Sequence, residues 1–229
     1  ERIPVTAKIR IGWDFQSLCA MDACRLLENE GISMITIHGR TRSQQYSGTA
    51  NWDIIDECAR AMSVPVIGNG DISTPQAVAY VKENTAVSGV MIGRAAMGRP
   101  WLFREIGHFL QTGAELPSPA VAEVRNALLR HLNDHYRLYG EYTGVRNARK
   151  HINWYVASLP GGSLLRQRVN TMESATEQTQ AVDAFFAGLQ EVLFRIVSWI
   201  IKVLPIGIFG FFSVLAADLA SGVELGGLG

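Results

Sequence analysis

The chain has 229 residues, of which 48% are hydrophobic and 18% charged, and its formal net charge at pH 7 is +0. That much apolar material excludes a largely disordered chain and suffices for a real core, in one unit or two. The neutral balance means that any contact with nucleic acid must come from a local basic face.

Three cysteines, Cys19, Cys24 and Cys58, lack CxxC spacing and fall in helical patterns. They read as buried thiols of a reducing compartment, with no disulfide or metal expected. The polar start predicts no secretory signal and hence a cytoplasmic location. Opening on Glu1 instead of methionine reads as a truncated product.

In chain order, residues 3–9 predict a buried strand, broken at Gly12-Trp13-Asp14, and Ser17 starts a helix to about residue 30. Gly31 caps that helix, residues 34–37 form the next strand, and His38-Gly39-Arg40-Thr41 closes it with polar groups. A loop over 43–49 leads into a helix over 51–61. The third unit is a strand over 64–67 and a helix with Thr74 as N-cap and Pro75 at its first position. The fourth is a strand over 89–92, a turn at Ala95-Ala96-Met97, and a helix over about 101–110.

Two of these strands stop abruptly at glycines, Val64-Pro65-Val66-Ile67-Gly68-Asn69-Gly70-Asp71 and Gly89-Val90-Met91-Ile92-Gly93-Arg94. Glycine lets the backbone approach a ligand, and a following helix adds unpaired N–H groups and the positive end of its dipole. Asn69, Gly70, Gly93 and Arg94 therefore form a candidate phosphate cradle. Four consecutive strand–helix units with polar strand ends predict a parallel sheet with its site on that edge. A doubly wound sheet and part of a (βα)8 barrel both fit.

The linker over 113–119, with two prolines, marks a domain boundary. Beyond it come helices without strands. Residues 120–139 carry Val121, Val124, Leu128, Leu129, Leu132 and Tyr136 on one face. A second helix over 144–159 carries Arg146, Arg149, Lys150 and His151, and one or two more follow over 166–169 and 175–189. Residues 192–217 are almost wholly apolar, interrupted by Arg195, Lys202 and Pro205. They read as a buried terminal helix pair, or as a borderline membrane span over 197–217 with Lys202 snorkelling.

Four motifs in order resemble the tRNA-dihydrouridine synthases, closest to the bacterial DusB branch: Val5-Thr6-Ala7-Lys8-Ile9-Arg10-Ile11-Gly12-Trp13-Asp14, Ile37-His38-Gly39-Arg40-Thr41, Val66-Ile67-Gly68-Asn69-Gly70-Asp71-Ile72 and Gly93-Arg94-Ala95-Ala96-Met97-Gly98-Arg99-Pro100-Trp101. The resemblance covers about residues 3–188, including Ala148-Arg149-Lys150-His151 and Trp154-Tyr155. It implies an α/β fold, the C-terminal half of a TIM (βα)8 barrel over 1–112, followed by a small all-α domain over 118–189 and an apolar helical tail over 190–229.

In that family the barrel binds FMN, NADPH is the reductant, and a uridine of tRNA becomes dihydrouridine. The resemblance places Lys8 at the flavin ring or ribityl chain with His38 nearby, and Asn69, Gly70, Asp71, Gly93 and Arg94 at the phosphate. It assigns Arg40, Arg146, Arg149 and Lys150 to tRNA. The family's Asn-x-Gly-Cys-Pro loop, which bears the proton-donating cysteine, has no match here, so no catalytic residue is assigned. A general acid contributes about 10²–10⁴-fold, so this chain is expected to be inactive alone. The tail after about residue 190 leaves the synthase pattern and resembles a segment of the sodium:dicarboxylate symporters.

Each candidate also has a structural reading. A lysine on an apolar strand is costly to bury without a partner, which favours a ligand. His38 could simply bond to backbone, and Asp71 could cap the next turn. Arg146, Arg149 and Lys150, beside Trp154 and Tyr155, would otherwise be a solvated helix face. His108, His131 and His135 show no metal-site pairing with acids. The alternatives are a non-catalytic phosphate- or RNA-binding remnant and a membrane-associated fusion. Two open sheet edges, at residues 3–9 and 89–92, predict self-association.

Overall fold

The computed structural model describes residues 3–224, which fall into two compact units. The first runs to Pro119 and includes Lys150–Val156; the second comprises Ala120–Arg149 and the chain from Ala157 onward. The boundary thus falls at the end of the proline-bearing linker. The expected tail domain is no separate unit, because its helix is continuous with one of the second unit.

In the first unit strands and helices alternate: β1 (Thr6–Arg10), α1 (Ala20–Asn29), β2 (Met34–His38), α2 (Trp52–Ala61), β3 (Val66–Asn69), α3 (Pro75–Asn84), β4 (Gly89–Met91), a 3-10 turn at Arg94–Ala96, and α4 (Leu102–Thr112). All neighbouring strands pair in parallel in the order β1-β2-β3-β4. This consecutive order has no reversal of the kind that divides a doubly wound sheet. The register aligns Arg10 with His38, His38 with Asn69 and Asn69 with Met91, so four strands end in one row.

Side chains alternate across a strand, and the two faces are chemically opposite. Ile9, Ile35, Ile37 and Val66 pack with Ala20 and Cys24 of α1 and Ile55 and Cys58 of α2. A second cluster joins Val78 and Val81 of α3 to Leu102 and Ile106 of α4, with Val90 and Ile92 against it. The other face presents Lys8, Arg10, Thr36, His38, Asn69 and Met91.

Helix starts follow local hydrogen bonding. The Asn51 side chain accepts from the Ile54 N–H at 3.0 Å, and Thr74 accepts from the Ala77 N–H at 3.2 Å with Pro75 behind it. The first helix starts at Ala20, three residues later than expected from Ser17. The Asp14 carboxylate accepts from the Gln16 N–H at 3.1 Å and the Ser17 hydroxyl at 2.6 Å, which holds that segment in a turn of its own.

The second unit is built from α5 (Val121–Val156, its last turns belonging to the first unit), α6 (Gly162–Thr171) and α7 (Ala175–Glu224). The two helices expected over 120–139 and 144–159 are present and meet at Gly140, whose φ of 72° and ψ of 170° lie where other residues are strained. Val124, Leu128, Leu132, Val145, Leu165, Val169, Val182 and Phe186 are buried. Among them lies Gln178, fully enclosed. Its Nε2 donates to the Val145 and Val169 carbonyls at 3.1 and 3.3 Å, and its Oε1 accepts from the Tyr136 hydroxyl at 2.8 Å.

The tail departs from the expected buried pair. It continues α7 without a break, and its large apolar side chains from Val192 to Leu215 are exposed wherever they are described. A helix apolar over most of its surface is ordinarily buried, yet the second unit leaves these side chains uncovered.

Candidate functional site

The residues at the carbonyl ends of the four strands surround one open cavity of about 880 Å³. Lys8, His38, Arg40, Asn69, Gly70, Asp71, Gly93 and Arg94 all line it, contributed by β1, β2, β3 and the turn after β4. Parallel pairing in register brings them together, since each strand ends within a residue of its neighbour.

Asn69 stands at the centre of the row. Its Nδ2 donates to the Met91 carbonyl at 2.7 Å and its Oδ1 accepts from Lys8 Nζ at 3.2 Å, so one amide tethers β1 and β4 to β3. Gly70 follows with a φ of 142°, and a Cβ there would lie 2.4 Å from that of Ala50. Only glycine turns the chain at that point.

Asp71 ties the two arginines of the site together. Arg40 Nη2 donates to both carboxylate oxygens at 2.8 Å, the Ala50 N–H donates at 2.7 Å, and Arg94 Nη2 lies 3.6 Å away. Arg94 keeps a side chain 54% exposed, with its guanidinium 4.6 Å from the centre of the Tyr46 ring. Burial pushes the Asp71 carboxyl up, but the Ala50 and Arg40 hydrogen bonds and the two positive charges outweigh it and hold it below the usual range. Arg40 Nη1 is buried and has no hydrogen-bond partner among the described residues.

The site is electropositive. Burial, and then the charges of Arg10, Lys8 and Arg40, pull His38 down to about 4, against which Asp71 acts in the opposite direction. His38 is therefore a neutral imidazole near pH 7. Lys8 is also lowered, by burial and then by Arg10. Cations crowded round a cavity, one with a half-exposed fork, suit an anion.

Of the four residues expected at tRNA, Arg40 requires correction. It is 2% exposed and committed to Asp71 and to the Ser47 and Gly48 carbonyls at 3.1 and 2.6 Å, so it braces the loop from within. Arg146 stacks on Tyr142 at 3.8 Å and pairs with Glu173 at 3.3 Å. Arg149 donates to the Met172 carbonyl at 2.9 Å, and Lys150 is exposed. His131 and His135 pack edge to face, ring centres 6.2 Å apart.

Among the cavity residues that the sequence reading did not assign are Arg10 and Tyr46. Arg10 lies two residues after Lys8 on the same strand face, and its Nη1 donates to the Thr41 and Gln45 carbonyls at 2.6 and 3.0 Å. Tyr46 covers Arg94 from the loop after β2. The period of two would have found Arg10; Tyr46 is positioned by a loop whose path no periodicity encodes.

Residues 1–190 match the family model of the dihydrouridine synthases, and residues 170–228 match that of the sodium:dicarboxylate symporter family. The chain is 46% identical over 191 residues to tRNA-dihydrouridine synthase B of Pseudomonas putida, an alignment covering 83% of the chain and 57% of the relative. It is 45% identical to the protein of that name from Xanthomonas campestris, over 82% of the chain and 56% of the relative. The Vibrio cholerae protein is 42% identical, over 80% and 57%. The chain thus spans less than three fifths of the length of these relatives. With the first model covering most of its length and identities above two fifths, this chain belongs to the dihydrouridine synthase family.

Proposed function

We propose that the first unit is the flavin-phosphate half of a tRNA-dihydrouridine synthase site, equivalent to four of the eight strand–helix units of a TIM barrel. The observation that carries this reading is the convergence of Lys8, Asn69, Gly70, Gly93 and Arg94 on one cavity at the carbonyl ends of consecutive parallel strands. The residues fit FMN on their own chemistry: a half-exposed arginine fork, a buried arginine nitrogen without a partner, and open space around Gly93. When bound, FMN supplies the hydride that turns uridine of tRNA into dihydrouridine, with NADPH as the ultimate reductant.

Each residue then has a definite task. Arg94 and the backbone at Gly93 bind the phosphate, the fork held open by the Tyr46 ring and steadied by Asp71. Asp71 never meets the phosphate as a bare charge, because Arg40 and the Ala50 N–H occupy its oxygens. Asn69 orients Lys8, whose positive charge favours an anion over the sheet end. His38, neutral, contributes hydrogen bonding without charge.

None of the cysteines serves as proton donor in this reading. Cys24 and Cys58 sit under the helices on the opposite sheet face, and Cys19 precedes α1. The chain alone is accordingly a binder without turnover. Equilibrium titration of FMN fluorescence should show binding too weak to survive desalting, weakened at least tenfold in Arg94→Ala. Unmodified tRNA incubated with the chain, FMN and NADPH should yield no dihydrouridine by mass spectrometry. FMN binding indifferent to Arg94→Ala would overturn the site, and turnover would overturn the inactivity.

A further inference from the structure

We propose that Trp13, with the Arg42 guanidinium over its ring, is a stacking platform for an unpaired RNA base at the rim of the cavity. The inference rests on the tRNA reading of that cavity and adds the residues that hold a nucleotide neighbouring the uridine. It starts from an aromatic ring that the fold leaves uncovered. Trp13 is 68% exposed, although burying an indole removes a large apolar area from water, and Arg42 lies 6.0 Å from the centre of its ring. An exposed flat ring beside a planar cation suits an unstacked base, because every base has a π face and the arginine adds charge for the adjoining phosphate.

The backbone beneath the ring is fixed, and it is fixed beside the cavity. Beyond the sheet, the chain after β1 and the chain after β2 stay paired: the Arg42 N–H donates to the Gly12 carbonyl and the Ser43 N–H to the Trp13 carbonyl, both at 2.9 Å. The Cys19 N–H closes the loop by donating to the Ile11 carbonyl at 3.0 Å. A Cβ on Gly12 would lie 2.5 Å from the Ser17 carbonyl oxygen, so glycine permits that close approach. A loop held in this way lowers the ordering cost of binding. Trp13 stands three residues beyond Arg10 and Arg42 two beyond Arg40, and both of those arginines line the cavity. Three residues span at most about 10 Å, so the ring is at the edge of the row of cations. The acid of this loop, Asp14, is engaged within it, its carboxylate accepting from the Gln16 N–H at 3.1 Å and the Ser17 hydroxyl at 2.6 Å. An aromatic ring among cations fits a single-stranded polyanion.

The test measures RNA binding by fluorescence anisotropy with the full chain in mild non-ionic detergent, using a labelled short oligouridylate, a short RNA duplex and an unmodified tRNA. Trp13→Ala should weaken binding of the oligouridylate and the tRNA about tenfold and leave the duplex unchanged, since stacking needs an unpaired base. Trp13→Phe should recover most of the loss. The slope of log Kd against log salt should be that of the parent in Trp13→Ala and flatter in Arg42→Ala, because a phosphate contact releases counterions and a stacked ring does not. Tyr80→Ala, which removes a ring of similar exposure on α3, should bind like the parent. FMN affinity should be the same in Trp13→Ala as in the parent; a matching loss of FMN would mean that the ring supports the cavity and would overturn the platform. Equal weakening of duplex and single strand would overturn it as well. Unmodified tRNA bound equally by Trp13→Ala and the parent would overturn the platform and leave the tRNA reading standing, whereas a parent that binds no tRNA would remove that reading and the platform with it.

Discussion

Arg40 and His38 are separated by Gly39 alone, yet they serve different ends. Arg40 fills the interior of the loop over 43–49, and the carboxylate it holds steadies Arg94. Arg40→Ala should lower folding stability by about 2–4 kcal/mol, read as a shifted urea midpoint, since it strips a largely buried ion pair and two carbonyl bonds. Arg40→Lys should recover little, because an ammonium cannot fork to Asp71 and the loop together. His38 supplies a pH dependence of definite sign. Its value is about 4 in the fold and about 6.5 unfolded, so between these the unfolded chain binds the extra proton. The stability that it contributes is whole above pH ~6.5 and is lost as pH falls towards ~4. Urea midpoints measured from pH 7 to 4 should fall more steeply for the parent than for His38→Gln; parallel slopes would remove His38 from the account. The sequence exposed the types and order of these residues but not their duties. Arg40 reads as one more surface cation until its carboxylate, 31 residues away, is placed against it.

At the level of elements, the βα units were legible because glycine, proline and β-branched runs punctuate them, and Thr74-Pro75 started its helix where capping chemistry says it should. What was not legible came from longer-range packing. Nothing in the sequence says that residues 150–156, at the end of a helix otherwise belonging to the second unit, join the first. Nor does periodicity reveal Gln178, a polar residue in an apolar interior whose partners lie 9, 33 and 42 positions away. Its amide satisfies the Val145 and Val169 carbonyls and the Tyr136 hydroxyl, linking α5, α6 and α7. Burial accordingly pushes the Tyr136 phenol up to about 12. Gln178→Leu should cost about 2–4 kcal/mol, because it leaves several buried polar groups without a partner. Circular dichroism should show the loss as an earlier thermal transition; an unchanged transition would mean that water replaces the amide. Gly140→Ala should be milder, about 1–2 kcal/mol, because a Cβ there meets open space and the cost is conformational alone.

For the molecule as a whole, the consequence of its sheet is that β1 and β4 each pair on one side only among the described residues. Parallel sheets are ordinarily covered on both faces, and this one carries helices on one face and cations on the other. Two copies could meet face to face or edge to edge, and charge decides between them. Lys8, Arg10 and Arg94 would oppose their own kind across a shared face, whereas the edges offer unpaired N–H and C=O groups that complement any strand. Association should therefore proceed through the edges, resisted by the like charges nearby. That assigns the sign of the salt effect: raising ionic strength screens the repulsion and should strengthen association, where an interface built on ion pairs would weaken. Sedimentation velocity in a mild non-ionic detergent, which shields the tail, should show a weight-average mass that climbs with protein concentration and climbs further from 50 to 500 mM salt. FMN phosphate, by neutralising Arg94, should act like added salt. A single monomeric boundary at every concentration would show that the edges are closed by the chain itself, and dissociation by salt would move the contact to the charged face.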